Sequence, residues 1–241
     1  MGANAQIAVP AFTAGQVLTA AQQTQINTGI PVFATTTTRD AAFGGTGEKV
    51  LAEGQYAYIE SNNATQFYDG SAWSNLTAAL TYVNTFTGTN TAAINCTGAF
   101  SSAYQNYRII FTQTAAPTGT GALTFRLRSG STDATTNYSC IRFYGNGTSA
   151  VSSTNPSGTD DFFLGDTEPT FYSVYQIEVY RPFDTAATNF ITLGNYNTST
   201  PSITALITSG QNTNSTSYDG FSIITTATGM TGNVRVYGYT N

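Results

Sequence analysis

The sequence predicts an all-β protein: an antiparallel jelly-roll-like β-sandwich preceded by a short N-terminal helix and a small β-hairpin module. Three observations carry this expectation. From residue 77 onward, short runs alternate apolar with polar residues, clusters of Gly, Pro, Ser, Thr and Asn separate the runs, and no helical periodicity intervenes. Aromatic residues make up 13% of the chain and β-branched residues are abundant, which separates it from disordered chains of similarly low charge. A length of 241 residues suits one sizeable all-β domain with a small appendage and can bury a core without disulfides or metals.

Residues 1–30 read as an anchoring segment. Thr13 to Asn27 is rich in Ala and Gln and is the one stretch with helical character; Thr19 and Gln22 have capping-box spacing, and Gly29 and Pro31 close the helix. So short a helix needs a surface to pack on. Ile7, Val9, Pro10, Phe12, Val17, Leu18 and Ile26 add apolar surface without enough neighbours for a core, which predicts docking on another protein or, alternatively, folding back on the adjacent module.

Residues 31–76 read as the hairpin module, with strands at Val32 to Ala34, Gln55 to Glu60 and Thr65 to Tyr68 and turns at Ser61-Asn62-Asn63-Ala64 and Asp69-Gly70. Its expected core is Val50, Tyr56, Tyr58, Phe67, Tyr68 and Trp73. Residues 77–241 read as the sandwich. Tyr107-Ile109-Phe111, Leu123-Phe125-Leu127, Ile141-Phe143, Tyr175-Ile177-Val179, Ile203-Ala205-Ile207 and Val234-Val236 each place apolar side chains on one strand face, taken as the inner one. Phe190 to Leu193 and Phe221 to Ile224 are more continuous, and the whole implies about eight to ten strands.

Composition narrows the chemistry. The chain has no histidine, which removes Ser-His and Cys-His nucleophile pairs and histidine metal sites and predicts a protein that is not an enzyme, with no cofactor and no metal. Two carboxylates about 5 to 9 Å apart would still suffice for a glycosidase. The candidates are Asp160, Asp161, Asp166 and Glu168, which could also ligate calcium but read first as solvated loop charges. A formal charge of −5, with Lys49 the sole lysine and no basic cluster, argues against nucleic acid. No apolar run is long enough for a membrane helix, and Met1-Gly2-Ala3-Asn4 lacks the features of a signal peptide, so a non-secreted product made in the cytoplasm is expected. Gln6 stands where a myristoylation signal has Ser or Thr, and the Asn-x-Thr sequences at Asn75 and Asn146 carry no glycosylation argument without a signal peptide. Cys96 and Cys140 match no zinc spacing and read as packed thiols rather than a bridge. Tyr144, Asn146, Tyr196, Asn197 and Tyr218 form a candidate recognition surface for glycan or protein, or simply suit half-exposed strands.

The segment Pro31-Val32-Phe33-Ala34-Thr35-Thr36-Thr37-Thr38-Arg39-Asp40-Ala41-Ala42-Phe43, followed by Gly54 to Tyr58 and by Tyr68-Asp69-Gly70-Ser71-Ala72-Trp73, resembles a hairpin module of bacteriophage tail-fibre and minor tail proteins. Ser217 to Ile224 and Gly232 to Tyr239 resemble the closing strands of β-sandwich domains in phage virion proteins. The resemblance implies a structural component of the virion that works as a homo-oligomer, a trimer by analogy of fold. Because the chain has neither a heptad run nor shaft repeats, a short element is expected. A short tail fibre or tail-tip protein for host-surface attachment and a capsid decoration (cement) protein both fit; a polysaccharide-degrading tail enzyme fits less well.

Overall fold

Period-two alternation and turn chemistry produce two separate units in the computed structural model, one up to residue 78 and one from residue 79. The structure describes residues 5–27, 29–76, 79–146, 152–154, 157–167, 169, 172–199 and 202–240.

In the first unit, helix α1 (Ala20–Asn27) starts where the capping box places it. The Gln22 N–H donates to Thr19 Oγ1 at 3.3 Å while the Thr19 N–H donates to Gln22 Oε1 at 3.0 Å, so two otherwise orphaned donors are satisfied. Strands β1 (Val32–Phe33), β2 (Tyr56–Ile59), β3 (Ala64–Tyr68) and β4 (Trp73–Asn75) form one sheet in that order. The reading of a single helix needs correction. A second helix, α2 (Thr36–Asp40), lies in the threonine run, where the Thr38 N–H donates to Thr35 Oγ1 at 3.2 Å and so favours a helical turn over an extended one.

The module's core also differs from the expected set. Phe33, Ala42, Ala57 and Ile59 are buried, with Val9, Phe43 and Trp73 packed against them, whereas Val50 and Tyr56 are exposed. In Tyr56-Ala57-Tyr58-Ile59 the apolar face could be either one. Helix α2 packs on β1 and β2, and the smaller, wholly apolar pair Ala57 and Ile59 fills the interior while the tyrosine hydroxyls keep access to water. Residues 5–11 run along this module: the Val9 N–H donates to the Ala42 carbonyl at 3.1 Å and the Lys49 N–H to the Val9 carbonyl at 2.8 Å. Ile7 and Val17 remain 70% and 89% exposed.

The second unit contains β5 (Leu80–Thr91), β6 (Ala93–Cys96), β7 (Asn106–Ala115), β8 (Gly121–Ser129), β9 (Thr132–Asp133), β10 (Tyr138–Asn146) and β11 (Ser152–Thr154). It continues with β12 (Ser157–Thr159), β13 (Phe162–Thr167), β14 (Val174–Tyr180), β15 (Thr188–Ser199), β16 (Ser202–Asn212), β17 (Gly220–Thr225) and β18 (Met230–Tyr239). One sheet contains the order β5-β18-β7-β14 and the other the order β6-β17-β8-β13. With all these pairs antiparallel, that is the double Greek key of a jelly roll. The strands exceed the expected number because the first sheet continues past β14 through β15, β16 and β10 to β11, and because β9, β11 and β12 are very short.

The two sheets meet in an aromatic core. The Phe125 ring on β8 lies 5.4 Å from Phe190 on β15 and 5.1 Å from Phe221, and Phe162 on β13 lies 5.0 Å from Phe190. The runs of β7, β8, β14 and β18 bury the faces expected of them. Gly165 and Gly194 flank the Tyr175 ring, and a Cβ at either position would collide with it. A polar hub sits beside this core. Arg128 on β8, its side chain 8% exposed, donates from Nη1 to Asn95 Oδ1 (3.0 Å), Asp133 Oδ1 (2.7 Å) and Ser222 Oγ (2.8 Å), and from Nη2 to the Ser131 carbonyl (2.6 Å). It ties β6, β8, β9 and β17 together.

Strands β10 and β16 overturn part of the expected inner face. Ile141, Phe143, Ala205 and Ile207 point outward; the side chain of Ile203 lies outside the described residues. The buried positions of these strands belong instead to Tyr138, Cys140, Thr204, Leu206 and Thr208.

Candidate interaction surface

The acidic residues singled out by sequence are not brought together as a site. Asp160 and Asp161 precede β13, and Arg126 on the neighbouring β8 reaches both, with Nη2 2.6 Å from Asp160 Oδ2 and 3.7 Å from Asp161 Oδ2. Burial, reinforced by the adjacent Asp160 charge, raises the Asp161 carboxyl above the usual range, and Arg126 opposes that shift. Asp166 lies five positions further along an extended chain, on the order of 15 Å away. Glu168 lies outside the described residues. This is an ion pair joining two strands, with Asp166 apart from it. Among the described residues no group of three or more His, Cys, Asp or Glu side chains is positioned to hold a metal, and no helix is long and apolar enough to cross a membrane.

Of the candidate recognition residues, Tyr218 is buried and its hydroxyl donates to Asn212 Oδ1 at 3.2 Å, which makes it part of the framework. Tyr144 is partly exposed on β10, and the side chains of Asn146, Tyr196 and Asn197 lie outside the described residues. Cys96 and Cys140 are free and buried on opposite sheets, and burial pushes both thiols up from their ordinary range. Neither is therefore expected to react with Ellman's reagent in the native protein, and both should react once it is denatured. Rapid native labelling of either would contradict this packing.

The most distinctive surface is the outward face of β15, β16 and β10, the strands that extend the sheet beyond the jelly roll. Register places Leu193 opposite Ile207 and Ile207 opposite Phe143; in the next row Ile191 faces Ser209, and Ser209 faces Ile141. Side chains so paired touch across the strands. Ile141, Phe143, Ile191, Leu193 and Ile207 are 43–56% exposed. Ser139, Asn189, Asn195 and Gln211 border them on the same face, and no outward residue of β10, β15 and β16 from Ser139 to Gly145, Asn189 to Asn195 and Ala205 to Gln211 is charged. A hollow of about 300 Å³ opens at the apolar end between Phe143, Tyr144, Ala205 and Ile207.

The inner side of these strands mixes core residues with threonines. On the inner side Thr192 sits opposite Thr208, and the hydroxyls of Thr188, Thr192, Thr204 and Thr208 are buried without a hydrogen-bond partner in the protein. The outer face changes character at β14 and β7, where Glu178 accepts from Arg108 Nε at 2.6 Å and from the Tyr239 hydroxyl at 2.7 Å. On that side the apolar area is bounded by charged, internally satisfied groups. Sequence reading missed this surface because it assigned the isoleucines to the core; the signal that could have found it is the set of threonines alternating with them. No protein-family model, curated protein or solved structure matches the chain.

Proposed function

We propose that this chain is a non-enzymatic structural protein of a bacteriophage particle, a short tail fibre or tail-tip protein that works as a homo-oligomer, a trimer by analogy of fold, and presents its jelly roll to a host surface. The observation that carries an assembly role is the uncharged apolar face on the strands added to the jelly roll, since a surface of this kind is a binding surface rather than a catalytic one. The virion assignment rests on the resemblance of residues 31–73. The residues that carry that resemblance also hold the module together. Arg39 is buried, donates to Gln66 Oε1, pairs with Asp40 at 2.6 Å and stacks over the Trp73 ring at 4.6 Å. Asp69 Oδ1 accepts from the Ser71 and Ala72 N–H groups at 2.8 and 2.7 Å and shapes the turn before Trp73. Such a pattern is a signature of the fold of the module and not of a reaction centre.

In this reading residues 1–30 make the contact with other virion proteins. Val9 belongs to the module's own packing, so the surface offered to a partner is Ile7, Phe12 and Val17. Deleting the segment would remove Val9 as well, and charged replacements are the cleaner test. Ile7→Glu with Val17→Glu should leave a folded, soluble protein that no longer enters particles, measured by quantitative mass spectrometry of purified virions. Incorporation at the wild-type level would remove the anchor from this segment. The same measurement on the unaltered protein tests the whole reading: a few copies per particle mean tail, a number following capsid symmetry means head decoration, and absence from particles refutes a virion role.

A further inference from the structure

We infer that the outward face of β15, β16 and β10 is covered by a second copy of this chain, with the face lying beside the symmetry axis; the inference rests on the reading above only for the existence of a homo-oligomer. The three strands added to the double Greek key contribute Tyr138, Cys140, Phe190 and Leu206 to the core, and they also carry Ile141, Phe143, Ile191, Leu193 and Ile207 on the side away from it. Their inner side meets β13 and interleaves the core residues with Thr188, Thr192, Thr204 and Thr208, so this half of the sheet is apolar on both faces and its outer apolar set is directed at something other than its own core.

Area and charge identify the occupant. Five large side chains, each about half exposed, make an apolar patch on the order of 400 Å², the size at which an exposed patch is functional rather than incidental. With the polar residues around it, the face approaches the roughly 800 Å² per partner that a specific interface buries, and it has the apolar centre and polar rim of one. In a closed symmetric oligomer, residues beside the axis meet their own equivalents. A charge there would meet its like, and none is present. The rim groups Ser139, Asn189, Asn195 and Gln211 and the central Ser209 each donate and accept, so each can bond to a copy of itself. A partner of complementary charge finds nothing to pair with on this face. A second copy finds a surface that fits its own.

Ser209 provides the test, because it is exposed at the centre of the face, between Ile191 and Ile141, and contributes nothing to the core. The mass of the full-length protein in solution is measured by light scattering at micromolar concentration, for the wild type and for Ser209→Arg, with circular dichroism and thermal unfolding as the check on folding. A wild type at an integral multiple of 25.4 kDa and a folded Ser209→Arg chain at the single-chain mass are expected. Leu193→Lys should give the same shift from a second position. If the wild type is an oligomer and both variants keep its mass, the oligomer stands and this interface is wrong. A wild type at the single-chain mass overturns the proposal and the homo-oligomer together, and loss of host-cell adsorption by Ser209→Arg in that case would give the face to a host-surface partner.

Discussion

Phe125→Ala is expected to lower the stability of the protein by about 3–5 kcal/mol, because the ring is fully buried where the two sheets of the jelly roll touch. It stacks on Phe221 of its own sheet and meets Phe190 of the other edge to face; Phe190 in turn packs on Phe162. Removing it breaks contacts on both sides, and the neighbours belong to three different strands, so the gap cannot collapse by moving one of them. For a domain of this size the loss corresponds to a fall in melting temperature on the order of 10 °C, read by calorimetry. Phe125→Leu, which keeps most of the volume, should cost much less. Equal losses for the two would mean that the aromatic contacts rather than the cavity set the cost.

Arg128→Ala should cost a comparable 3–5 kcal/mol for a different reason. The guanidinium is nearly buried and supplies donors to Asn95, Asp133, Ser222 and the Ser131 carbonyl, so its removal leaves the Asp133 carboxylate without its cation and several acceptors without donors. Most of that cost is the stranded carboxylate. The double variant Arg128→Met with Asp133→Asn should therefore recover a large part of the loss, measured as a shift in the midpoint of chemical denaturation. Additive losses in the double variant would show that the two side chains are not coupled.

Local chemistry was legible in the sequence and long-range pairing was not. The cap at Thr19, the Asx turn at Asp69 and the inner faces of β7, β8, β14 and β18 follow from residues close together in the chain, and each could be read from spacing alone. The all-β sandwich follows from them. Nothing local announces that β15, β16 and β10 join one sheet, since their pairing depends on a register between residues as far apart as Phe143 and Ile207. On these strands the rule that the apolar face is the inner one failed, because threonine is as strand-compatible as isoleucine and both faces were plausible; the wrong choice fell on the face proposed above as an interface. Helix α2 was missed because a threonine run favours strands by propensity, and only its cap and the burial of Arg39 decide otherwise. The carboxylates near β13 were found as a cluster in sequence, but extension of the strand separates Asp166 from the pair held by Arg126.

The position of β18 has a consequence for biosynthesis. This strand lies between β5 and β7, with Leu80 opposite Tyr239 and Phe111 opposite Val234, so those two strands are joined in the sheet only through residues made more than a hundred positions later. Until they emerge, β5 and β7 present unpaired edges in a chain with few charges to keep neighbouring copies apart. Folding of this domain is slow in the manner of proteins dominated by distant contacts. A chain that lacks β18 lacks the strand that closes its larger sheet, and such a product is a substrate for aggregation or degradation rather than a slightly shortened version of the protein.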